Sequence, residues 1–484
     1  MQVRRVAVLG GGPGGLYAAR LLKLADPACA VTVHEQGEPD ATFGFGVGLA
    51  AGTQRKLEAA DPDTLREIVA TGYRHDMTMQ VGGDVARVHN DRLVGVARTE
   101  LLAILQRHAE KAGVELEFGC RRTVAELDAD VVIAADGVSS ATREDGPFGS
   151  RIETGRGLYL WCGTDFPLDD AVFAPVTTEH GVFVTHAYPY SGGRSTFLVE
   201  TDEATWRRAG FDTADVPPDG SDEISLRYLQ EAFAPLLRGR PLIGNRTRWL
   251  RFRTVRCDRW SDGRTVLLGD AAHTAHYSIG SGTKLAMEDA IALVEALREP
   301  EAFATYERVR RPAVERLQEL SRRSQLWWES FAARQHLPVA QLMVAYMSRA
   351  GNVPLERFAI TSPDVVAAAI GRHDEAAGVV DGVLERQPVP RGGLAPIDDV
   401  VVDPWDVAGD AVVARAQASG AAGFRLTGPA DRGALLTRLD LAERIRLATH
   451  GFVEVDGPAE LRDDLAAGLV SGRADRVTFS EGGA

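Results

Sequence analysis

Residues 3–15 read VRRVAVLGGGPGG, an apolar run that passes directly into a cluster of glycines. The run predicts a buried strand, and Gly10, Gly12 and Gly15 follow it in the pattern G-x-G-x-x-G. In that pattern the first glycine permits a tight turn, the second lets the backbone approach a pyrophosphate, and the third lets a helix pack on the strand. The start of that helix adds free N–H groups and the positive end of a dipole. The stretch therefore predicts a dinucleotide-binding βαβ unit.

An acidic residue at the end of the next strand supports this interpretation. Residues 30–34 predict a second strand, and Glu35 follows it at the distance from the glycines that this unit requires. A carboxylate there accepts hydrogen bonds from ribose hydroxyls and disfavours a 2′-phosphate, so the sequence favours FAD or NAD over NADP. The alternative is a glycine-rich turn beside a surface glutamate, which leaves the strand–turn–helix context unexplained.

A second glycine-containing turn follows an apolar strand later in the chain. Residues 265–268 read TVLL and lead into Gly269 and Asp270, and Gly280 and Gly282 then open a helix. The Asp270 carboxylate can accept a hydrogen bond from a ribityl hydroxyl, and the glycines let backbone N–H groups approach an isoalloxazine ring. The alternative is an ordinary β-turn-helix junction, against which the first glycine cluster argues.

These motifs resemble those of the class A flavoprotein aromatic hydroxylases, the family of para-hydroxybenzoate hydroxylase. A third match is residues 130–143, DVVIAADGVSSATR, which contain Asp136 and are similar to the Asp-Gly motif of that family. A fourth is Arg98, at a position where the family often has an arginine that opens a helix and reaches towards FAD. A surface arginine at a helix start is the alternative for Arg98. The resemblance covers residues 1 to about 335.

The resemblance implies a fold and a reaction. The fold class is α/β, with a Rossmann-like FAD-binding domain interrupted by a β-sheet substrate domain. NADH or NADPH acts as a transient reductant of FAD, and dioxygen then forms a flavin C4a-hydroperoxide that hydroxylates an electron-rich ring. Tyr277 and Lys284 stand where the family usually has Pro and Asn. The substrate pocket is therefore expected to differ from that of a simple hydroxybenzoate hydroxylase.

Two stretches are closer to one subgroup of that family. Residues 273–290 and the loop 42–48 are similar to salicylyl-CoA 5-hydroxylase and the monooxygenase half of anthraniloyl-CoA monooxygenase. The similarity implies hydroxylation of an aromatic acyl-CoA. Two alternatives stay open: an FAD hydroxylase of a free aromatic acid, indole or polyketide, and a non-hydroxylating flavin reductase or FAD-binding scaffold.

The C-terminal residues predict a separate run of βα units. Two prolines and a Gly-Gly pair predict a linker at 386–396, and a strand at Val400–Val402 begins the repeats. Stretches within 441–475 resemble the last units of Old Yellow Enzyme-type barrels. The arginine that holds FMN phosphate in those barrels is absent, so the resemblance implies a truncated TIM-barrel-like remnant without FMN. An unrelated βα cap or dimerisation module is the alternative.

The predicted domains follow these changes of pattern. The FAD-binding domain comprises residues 1–154 and 261–300, and the β-rich substrate domain comprises residues 155–260. Residues 301–385 are expected to form a long helix and a helical connection, and residues 386–484 the C-terminal βα domain.

The predicted site residues form three groups. His276, Tyr277 and Lys284 are the expected catalytic residues, although Lys284 is also suited to capping a turn. A second group alternates along one strand and so shares a face, which predicts either substrate contact or packing in a half-buried core: His186, Tyr188 and Tyr190. The predicted cofactor-binding residues are Gly10, Gly12, Pro13, Gly14, Gly15, Glu35, Gln36, Phe45, Arg98, Asp136, Gly269, Asp270, Gly280, Gly282 and Thr283.

Composition limits the partners. The 484 residues carry a net charge of −14, which argues against a nucleic-acid partner because phosphate binding needs clustered Lys and Arg. A run of arginines within 246–256 is suited to coenzyme A phosphates or to a solvated strand face.

No apolar stretch predicts a membrane span, and the N-terminal residues lack the pattern of a signal peptide. The four cysteines lack metal-ligand spacing, so a cytoplasmic enzyme without a metal is expected. The expected partners are dioxygen and an aromatic acid or acyl-CoA, and a homo-oligomer is left open.

Overall fold

The computed structural model describes residues 3–39, 44–90, 93–217, 219–280, 282–371, 378–399 and 401–480. The chain divides into two compact units, Met1–Met77 with Asn90–Glu329 and Thr78–His89 with Ser330–Ala484. The strands are β1 (Arg5–Leu9), β2 (Ala30–His34), β3 (Gly46–Leu49), β4 (Met77–Val81), β5 (Asp84–Val88), β6 (Val94–Ala97), β7 (Glu115–Glu117), β8 (Val131–Ala134), β9 (Ser150–Thr154), β10 (Leu158–Thr164), β11 (Ala171–Thr178), β12 (Gly181–Ser191), β13 (Arg194–Thr201), β14 (Leu242–Ile243), β15 (Trp249–Leu250), β16 (Arg253–Cys257), β17 (Ser261–Asp262), β18 (Thr265–Leu267), β19 (Ala395–Ile397), β20 (Gly423–Leu426), β21 (Phe452–Pro458) and β22 (Arg476–Ser480).

The helices are α1 (Pro13–Ala25), α2 (Ala51–Ala60), α3 (Pro62–Thr71), α4 (Arg98–Ala112), α5 (Ala141–Asp145), α6 (Glu203–Arg208), α7 (Glu223–Ala232), α8 (Ala234–Leu237), α9 (Gly282–Ala296), α10 (Ala302–Glu329), α11 (Val339–Ser348), α12 (Leu355–Thr361), α13 (Pro363–Ile370), α14 (Val379–Glu385), α15 (Val407–Ser419), α16 (Arg432–Thr449) and α17 (Arg462–Val470). No helix in the described part of the chain combines the length and the apolarity needed to cross a membrane.

A parallel sheet organises the first unit. Its strand order is β17-β18-β8-β1-β2-β7, and β1 lies between β2 and β8 in parallel register. β8 is apolar and buried along its whole length, and β1 is so from Val6 to Leu9, as expected of strands with both faces covered. Because the carboxyl ends of parallel strands meet at one edge, β1, β2, β8 and β18 deliver the residues that follow them to the same place. Those residues include Gly10, Glu35, Asp136 and Asp270.

An antiparallel sheet is inserted between β8 and β18. Within the first unit its order is β14-β10-β13-β12-β11, and β15 also pairs with β10. One face packs into an apolar core that contains Cys162, Phe183, Phe197 and Val199. The chain therefore leaves the parallel sheet after β8, builds a β-rich layer and returns at β18, as the sequence predicts.

The second unit contains a smaller parallel sheet, β19-β20-β21-β22, whose strands alternate with α15, α16 and α17. The second unit thus alternates strands and helices, and its first strand lies earlier than the sequence prediction placed it. Residues 401 and 402 are not in a strand and Val400 lies outside the described residues, whereas β19 occupies Ala395–Ile397, at the end of the predicted linker. Pro396 is compatible with that strand because β19 is at the sheet edge, where a missing N–H need not break the ladder.

Candidate active site

The glycine turn after β1 has the geometry that its sequence predicts. Gly10 has φ +104°, and a Cβ there would lie 2.3 Å from the carbonyl oxygen of Ala135. A Cβ on Gly15 would lie 2.1 Å from the Gly10 oxygen. Gly12, by contrast, has no atom within 4 Å of the position of a Cβ. The backbone of the protein therefore leaves no room for a side chain at Gly10 or Gly15. At Gly12, beside the first turn of α1, the space for a side chain is open.

Glu35 is oriented by two backbone N–H groups. Its Oε2 accepts from Gly11 N at 2.6 Å and its Oε1 accepts from Gly37 N at 2.7 Å. The carboxylate is thus fixed beside the glycine turn, and each oxygen retains a further lone pair. The neighbouring Gln36 is exposed.

Polar atoms without protein partners face this edge of the sheet. Oδ1 of Asp136 and Nε of Arg98 are buried and have no hydrogen-bond partner in the described part of the chain. Asp270 keeps accessible surface, yet the protein around it desolvates the carboxyl enough to raise its pKa. Buried polar groups are normally paired, so these atoms fit a site completed by a polar ligand. Together with the open space at Gly12, the donor and acceptor set fits FAD.

A buried network of charges supports the turn that carries Asp270. The Asp289 carboxylate accepts from Gly269 N at 3.2 Å, pairs with His273 Nε2 at 2.8 Å and accepts from Arg310 Nε at 2.7 Å. Burial of Asp289 opposes its ionisation, but His273 and Arg310 outweigh that effect and hold its pKa below the ordinary value. An ionised Asp289 thus fixes the Gly269 backbone.

Arg143 supports the same turn from the other side. Its side chain is fully buried and donates to the carbonyl oxygens of Val138 at 2.8 Å and Ala271 at 3.1 Å. The Asp-Gly stretch after β8 is thereby tied to the Gly-Asp stretch after β18.

The register of the antiparallel sheet builds an aromatic wall. Tyr159 on β10 lies opposite Glu200 on β13, and Phe173 on β11 lies opposite His186 on β12. Because side chains alternate along strands, these positions share one face. The His186 ring lies 3.9 Å from Trp328 of α10, centroid to centroid, and 5.4 Å from Phe173. The face opposite the apolar core is therefore lined with rings around Glu200.

Tyr277 is hydrogen-bonded to Glu200 of this aromatic wall. The Tyr277 hydroxyl donates to Oε1 of Glu200 at 2.8 Å, and His186 Nε2 lies 3.1 Å from the same oxygen. The ring of Tyr277 packs 4.8 Å from that of Tyr159 and 5.9 Å from that of Phe252. Tyr277 keeps accessible surface, yet desolvation raises the pKa of its hydroxyl well above the ordinary value. The ring of Tyr277 is therefore half-buried among other rings, and its hydroxyl is shielded from water.

The other two predicted catalytic residues have different settings. His276 is buried; its Nδ1 accepts from Ser278 N at 3.3 Å and lies 2.9 Å from Ser278 Oγ, so this nitrogen caps the short turn that follows. Lys284 is half-buried in the first turn of α9, next to the half-buried Thr283. Gly280 has φ +62° and is exposed, and the residue between it and Gly282 lies outside the described residues.

Tyr188 and Tyr190 contact the loop that precedes β3. The Tyr188 hydroxyl donates to the Gly46 carbonyl at 2.7 Å, and burial raises its pKa to about 12. The Tyr190 ring lies against Gly46, whose Cβ would be 2.6 Å away, and Phe45 lies against Gly163 in the same way. These residues hold the loop on the sheet. Residues 42 and 43 of the predicted flavin-side loop lie outside the described residues.

The arginines of the run within 246–256 form hydrogen bonds with nearby protein groups, which favours the alternative that they lie on a solvated strand face. The partners lie on neighbouring segments of the first unit: Arg248 donates to Pro217, Arg251 to Glu203 and the carbonyl of Arg156, Arg253 to Ser139, and Arg256 to Glu153.

One group of potential metal ligands lies behind Glu35. Donor atoms of His34, Glu117 and Cys120 lie within 4.8 Å of one another. His34 Nδ1 is 2.9 Å from Glu117 Oε2, Cys120 Sγ is 3.7 Å from that oxygen, and Arg122 lies 3.8 Å from it. Hydrogen bonds and an ion pair account for this arrangement, and the expected lack of a metal stays a prediction.

Sequence reasoning missed Glu200, Asp289 and the supporting role of Arg143. A local signal existed for Glu200, because it is the one carboxylate in the otherwise uncharged segment STFLVET at 195–201. Asp289 had the weaker signal of a charged residue within an apolar helix.

Comparison with known proteins gives a consistent result. A family model described as an FAD binding domain matches residues 121–321. Salicyloyl-CoA 5-hydroxylase from Streptomyces sp is 39% identical over 98% of this chain and 99% of its own length. A 3-hydroxy-4-methyl-anthranilyl-[aryl-carrier protein] 5-monooxygenase from Streptosporangium sibiricum is 37% identical over 72% of this chain and 95% of its own length.

Solved structures agree at the level of the fold. The tetrameric form of 2-methyl-3-hydroxypyridine-5-carboxylic acid oxygenase superposes with a TM-score of 0.56 at 21% identity, covering 72% of this chain and 96% of that chain. The extent of identity to the two sequence relatives shows that this chain belongs to the family of FAD-dependent aromatic monooxygenases.

Proposed function

We propose that this enzyme hydroxylates the ring of an aromatic acyl-CoA, with salicyloyl-CoA as the first candidate and position 5 as the site of oxygen insertion. The observation that carries the proposal is the identity of 39% to a salicyloyl-CoA 5-hydroxylase over nearly the full length of both chains. The names of the two sequence relatives place the aromatic acyl group on coenzyme A or on a carrier protein, which favours a thioester over a free acid.

Bound FAD would accept a hydride from NADH or NADPH and activate dioxygen. The first unit supplies the residues that would hold it. In this proposal Gly10, Gly12, Pro13, Gly14 and Gly15 present the start of α1 to the pyrophosphate. The remaining predicted contacts are Glu35 and Gln36 at the ribose, Asp270 at the ribityl chain, and Phe45, Arg98, Asp136, Gly269, Gly280, Gly282 and Thr283 along the rest of the cofactor.

The aromatic wall around Tyr277 would bind the substrate ring. Tyr159, Phe252 and Tyr277 offer apolar ring faces, and offset or edge-to-face packing favours an aromatic guest. In this proposal His186 and His276 contribute to the borders of the wall, and Lys284 at the start of α9 would bind a carbonyl group of the substrate. The same wall excludes water from the reacting ring, which such chemistry requires.

A direct assay tests the proposal. The purified protein, loaded with FAD, is mixed with NADH or NADPH and with salicyloyl-CoA, 2-aminobenzoyl-CoA or free salicylate. Nicotinamide oxidation, oxygen consumption and product mass are measured together. We expect salicyloyl-CoA to give a product with one additional oxygen atom. Hydroxylation of free salicylate at an equal or higher kcat/KM would favour the free-acid alternative, and oxidation without any hydroxylated product would favour a reductase.

Several finer points stay predictions. They are the choice between NADH and NADPH, a cytoplasmic location, a homo-oligomer, the domain boundaries, and the origin of the second unit as a barrel remnant without FMN.

A further inference from the structure

The hydrogen bond between Tyr277 and Glu200 has a direction. A phenol has one O–H group, and Tyr277 donates it to Oε1 of Glu200 at 2.8 Å. Glu200 is 6% exposed, so its carboxylate has little access to water and depends on protein donors. The Tyr277 proton is therefore committed to Glu200, and what Tyr277 offers to a neighbour is the lone pairs of its oxygen.

Glu200 is held in this arrangement by the sheet. The register sets it opposite Tyr159 on β10 and opposite Val184 on β12, so its backbone is fixed by both neighbouring strands. His186, two residues further along β12 and on the same face, places Nε2 3.1 Å from Oε1. Oε1 of Glu200 is thus close to both His186 and the Tyr277 hydroxyl, and Tyr277 makes the hydrogen bond.

Tyr277 is the most accessible member of this group. It keeps accessible surface, whereas Glu200 and His186 are buried, and it packs between Tyr159 and Phe252. In the proposed placement, a substrate ring that stacks in this wall contacts Tyr277 and not the buried Glu200.

We infer that Glu200 is a specificity-determining positioning residue: by taking the only proton of Tyr277, it leaves that hydroxyl able only to accept a hydrogen bond from a ligand, and so selects aromatic rings that carry an O–H or N–H donor. The inference rests on the proposed function, because it assigns the wall around Tyr277 to the substrate ring. A ligand ring that offers only a hydrogen-bond acceptor next to Tyr277 would place its acceptor atom against the Tyr277 oxygen, with no hydrogen between them. The chemical class selected is a 2-hydroxy- or 2-aminobenzoyl thioester, and the salicyloyl and anthranilyl groups of the two relatives' substrates both have such a donor next to the acyl carbon.

The test compares ligands that differ in the donor alone. Salicyloyl-CoA carries the hydroxyl, and 2-fluorobenzoyl-CoA carries a smaller group that cannot donate, so a size penalty does not contribute. Dissociation constants are measured with the FAD-loaded enzyme, by calorimetry and by perturbation of the flavin spectrum, without reductant. For the wild type we expect a preference of about 10-fold or more for salicyloyl-CoA, because the fluoro compound leaves a desolvated acceptor unpaired.

Three variants locate the cause of that preference. Tyr277→Phe should reduce it to less than about 3-fold, since the acceptor is gone. Glu200→Met should narrow the preference, because the released Tyr277 hydroxyl can also donate to a ligand that only accepts, whereas Glu200→Gln should retain the preference because an amide oxygen still accepts. Tyr228→Phe is the matched control: it removes a tyrosine hydroxyl that bonds to His180 and Thr178, outside this wall, and should keep the wild-type preference.

The outcomes are decisive in both directions. Equal affinity of the wild type for the two thioesters would overturn the inference, as would a full preference in Glu200→Met. If Glu200→Met does not retain FAD, Tyr277→Phe and Glu200→Gln decide: loss in the former with retention in the latter supports the inference, and any other pattern contradicts it. Failure of the proposed function shows separately, as a wild type that binds salicyloyl-CoA preferentially but yields no hydroxylated product.

Discussion

Two alanine substitutions in the glycine turn after β1 are expected to have different effects, one on the stability of the protein and the other on cofactor binding. Gly15→Ala places a Cβ 2.1 Å from the Gly10 oxygen and 3.1 Å from a Val8 methyl, so the protein itself must yield. Gly12→Ala meets nothing within 4 Å, and Gly12 has φ −74°, which alanine adopts without strain. We therefore expect the first change to destabilise the apoprotein and the second to weaken FAD binding while leaving the fold intact.

The structure sets the expected sizes. Overpacking of the kind at Gly15 costs about 1–3 kcal/mol or more in the free energy of unfolding. A methyl group in open space, as at Gly12, should change that free energy by no more than about 0.5 kcal/mol. It does, however, keep the backbone from the pyrophosphate, and the loss of one hydrogen bond to a charged group, worth about 1.5–3 kcal/mol, weakens binding by about 10- to 150-fold.

Two measurements on the same proteins check this. Urea unfolding of the apoproteins gives the free energy of unfolding, and titration with FAD, followed by quenching of flavin fluorescence, gives the dissociation constant. Gly193→Ala is the matched control, since Gly193 is exposed in a hairpin turn and has no atom within 4 Å of a Cβ. If Gly12→Ala binds FAD as tightly as the wild type, the assignment of this turn to the pyrophosphate is wrong.

Further predictions concern charged groups. Asp270→Asn should weaken FAD binding, yet raise the stability of the apoprotein at pH 7, because the raised pKa of Asp270 means that its ionised form opposes folding; lower stability in urea would contradict this. Arg310→Met leaves Asp289 buried without its guanidinium partner and should lower the free energy of unfolding by about 3–5 kcal/mol. The lowered pKa of Asp289 contributes stability that is present above the ordinary value of 3.8 and lost as the pH falls through the folded-state pKa. Asp289→Asn should thus flatten the acid limb of a stability profile, and an unchanged limb would exclude this role. In the second unit, Arg334 donates to both oxygens of the buried Glu443, at 2.6 and 2.7 Å. Arg334→Met leaves this carboxylate buried without its partner and should lower the free energy of unfolding by about 3–5 kcal/mol. Hydrogen exchange in α16 measures this change.

The parts of the fold that depend on local pattern were predictable from the sequence. The first strand, the glycine turn and α1 follow from residue types within a single stretch, because each glycine answers a local steric need. The β-rich insert and the return to the parallel sheet were also evident from the change in composition. The strand at Ala395–Ile397 was missed because its proline indicates a linker unless the position at the sheet edge is known.

The candidate site was harder to predict because it depends on register. Glu200 meets Tyr277 only after three strands align Tyr159, Val184 and Glu200 across the sheet. A shift of one residue would turn every one of these side chains to the other face, and no local pattern specifies that alignment. His186 and Tyr188 illustrate the same point, since they are two positions apart on one strand and yet contact Glu200 and Gly46 respectively.

The order of strands in the parallel sheet has a consequence for biosynthesis. β1 and β8 emerge early from the ribosome, but their neighbour β18, which carries Asp270 at its end, is made only after the whole inserted layer. A nascent chain that stops before residue 265 therefore displays an unpaired edge on β8 and half of a nucleotide cradle. Flavin capture should accordingly be a late event of translation, and truncated products ending in the insert should emerge colourless and prone to association through that open edge.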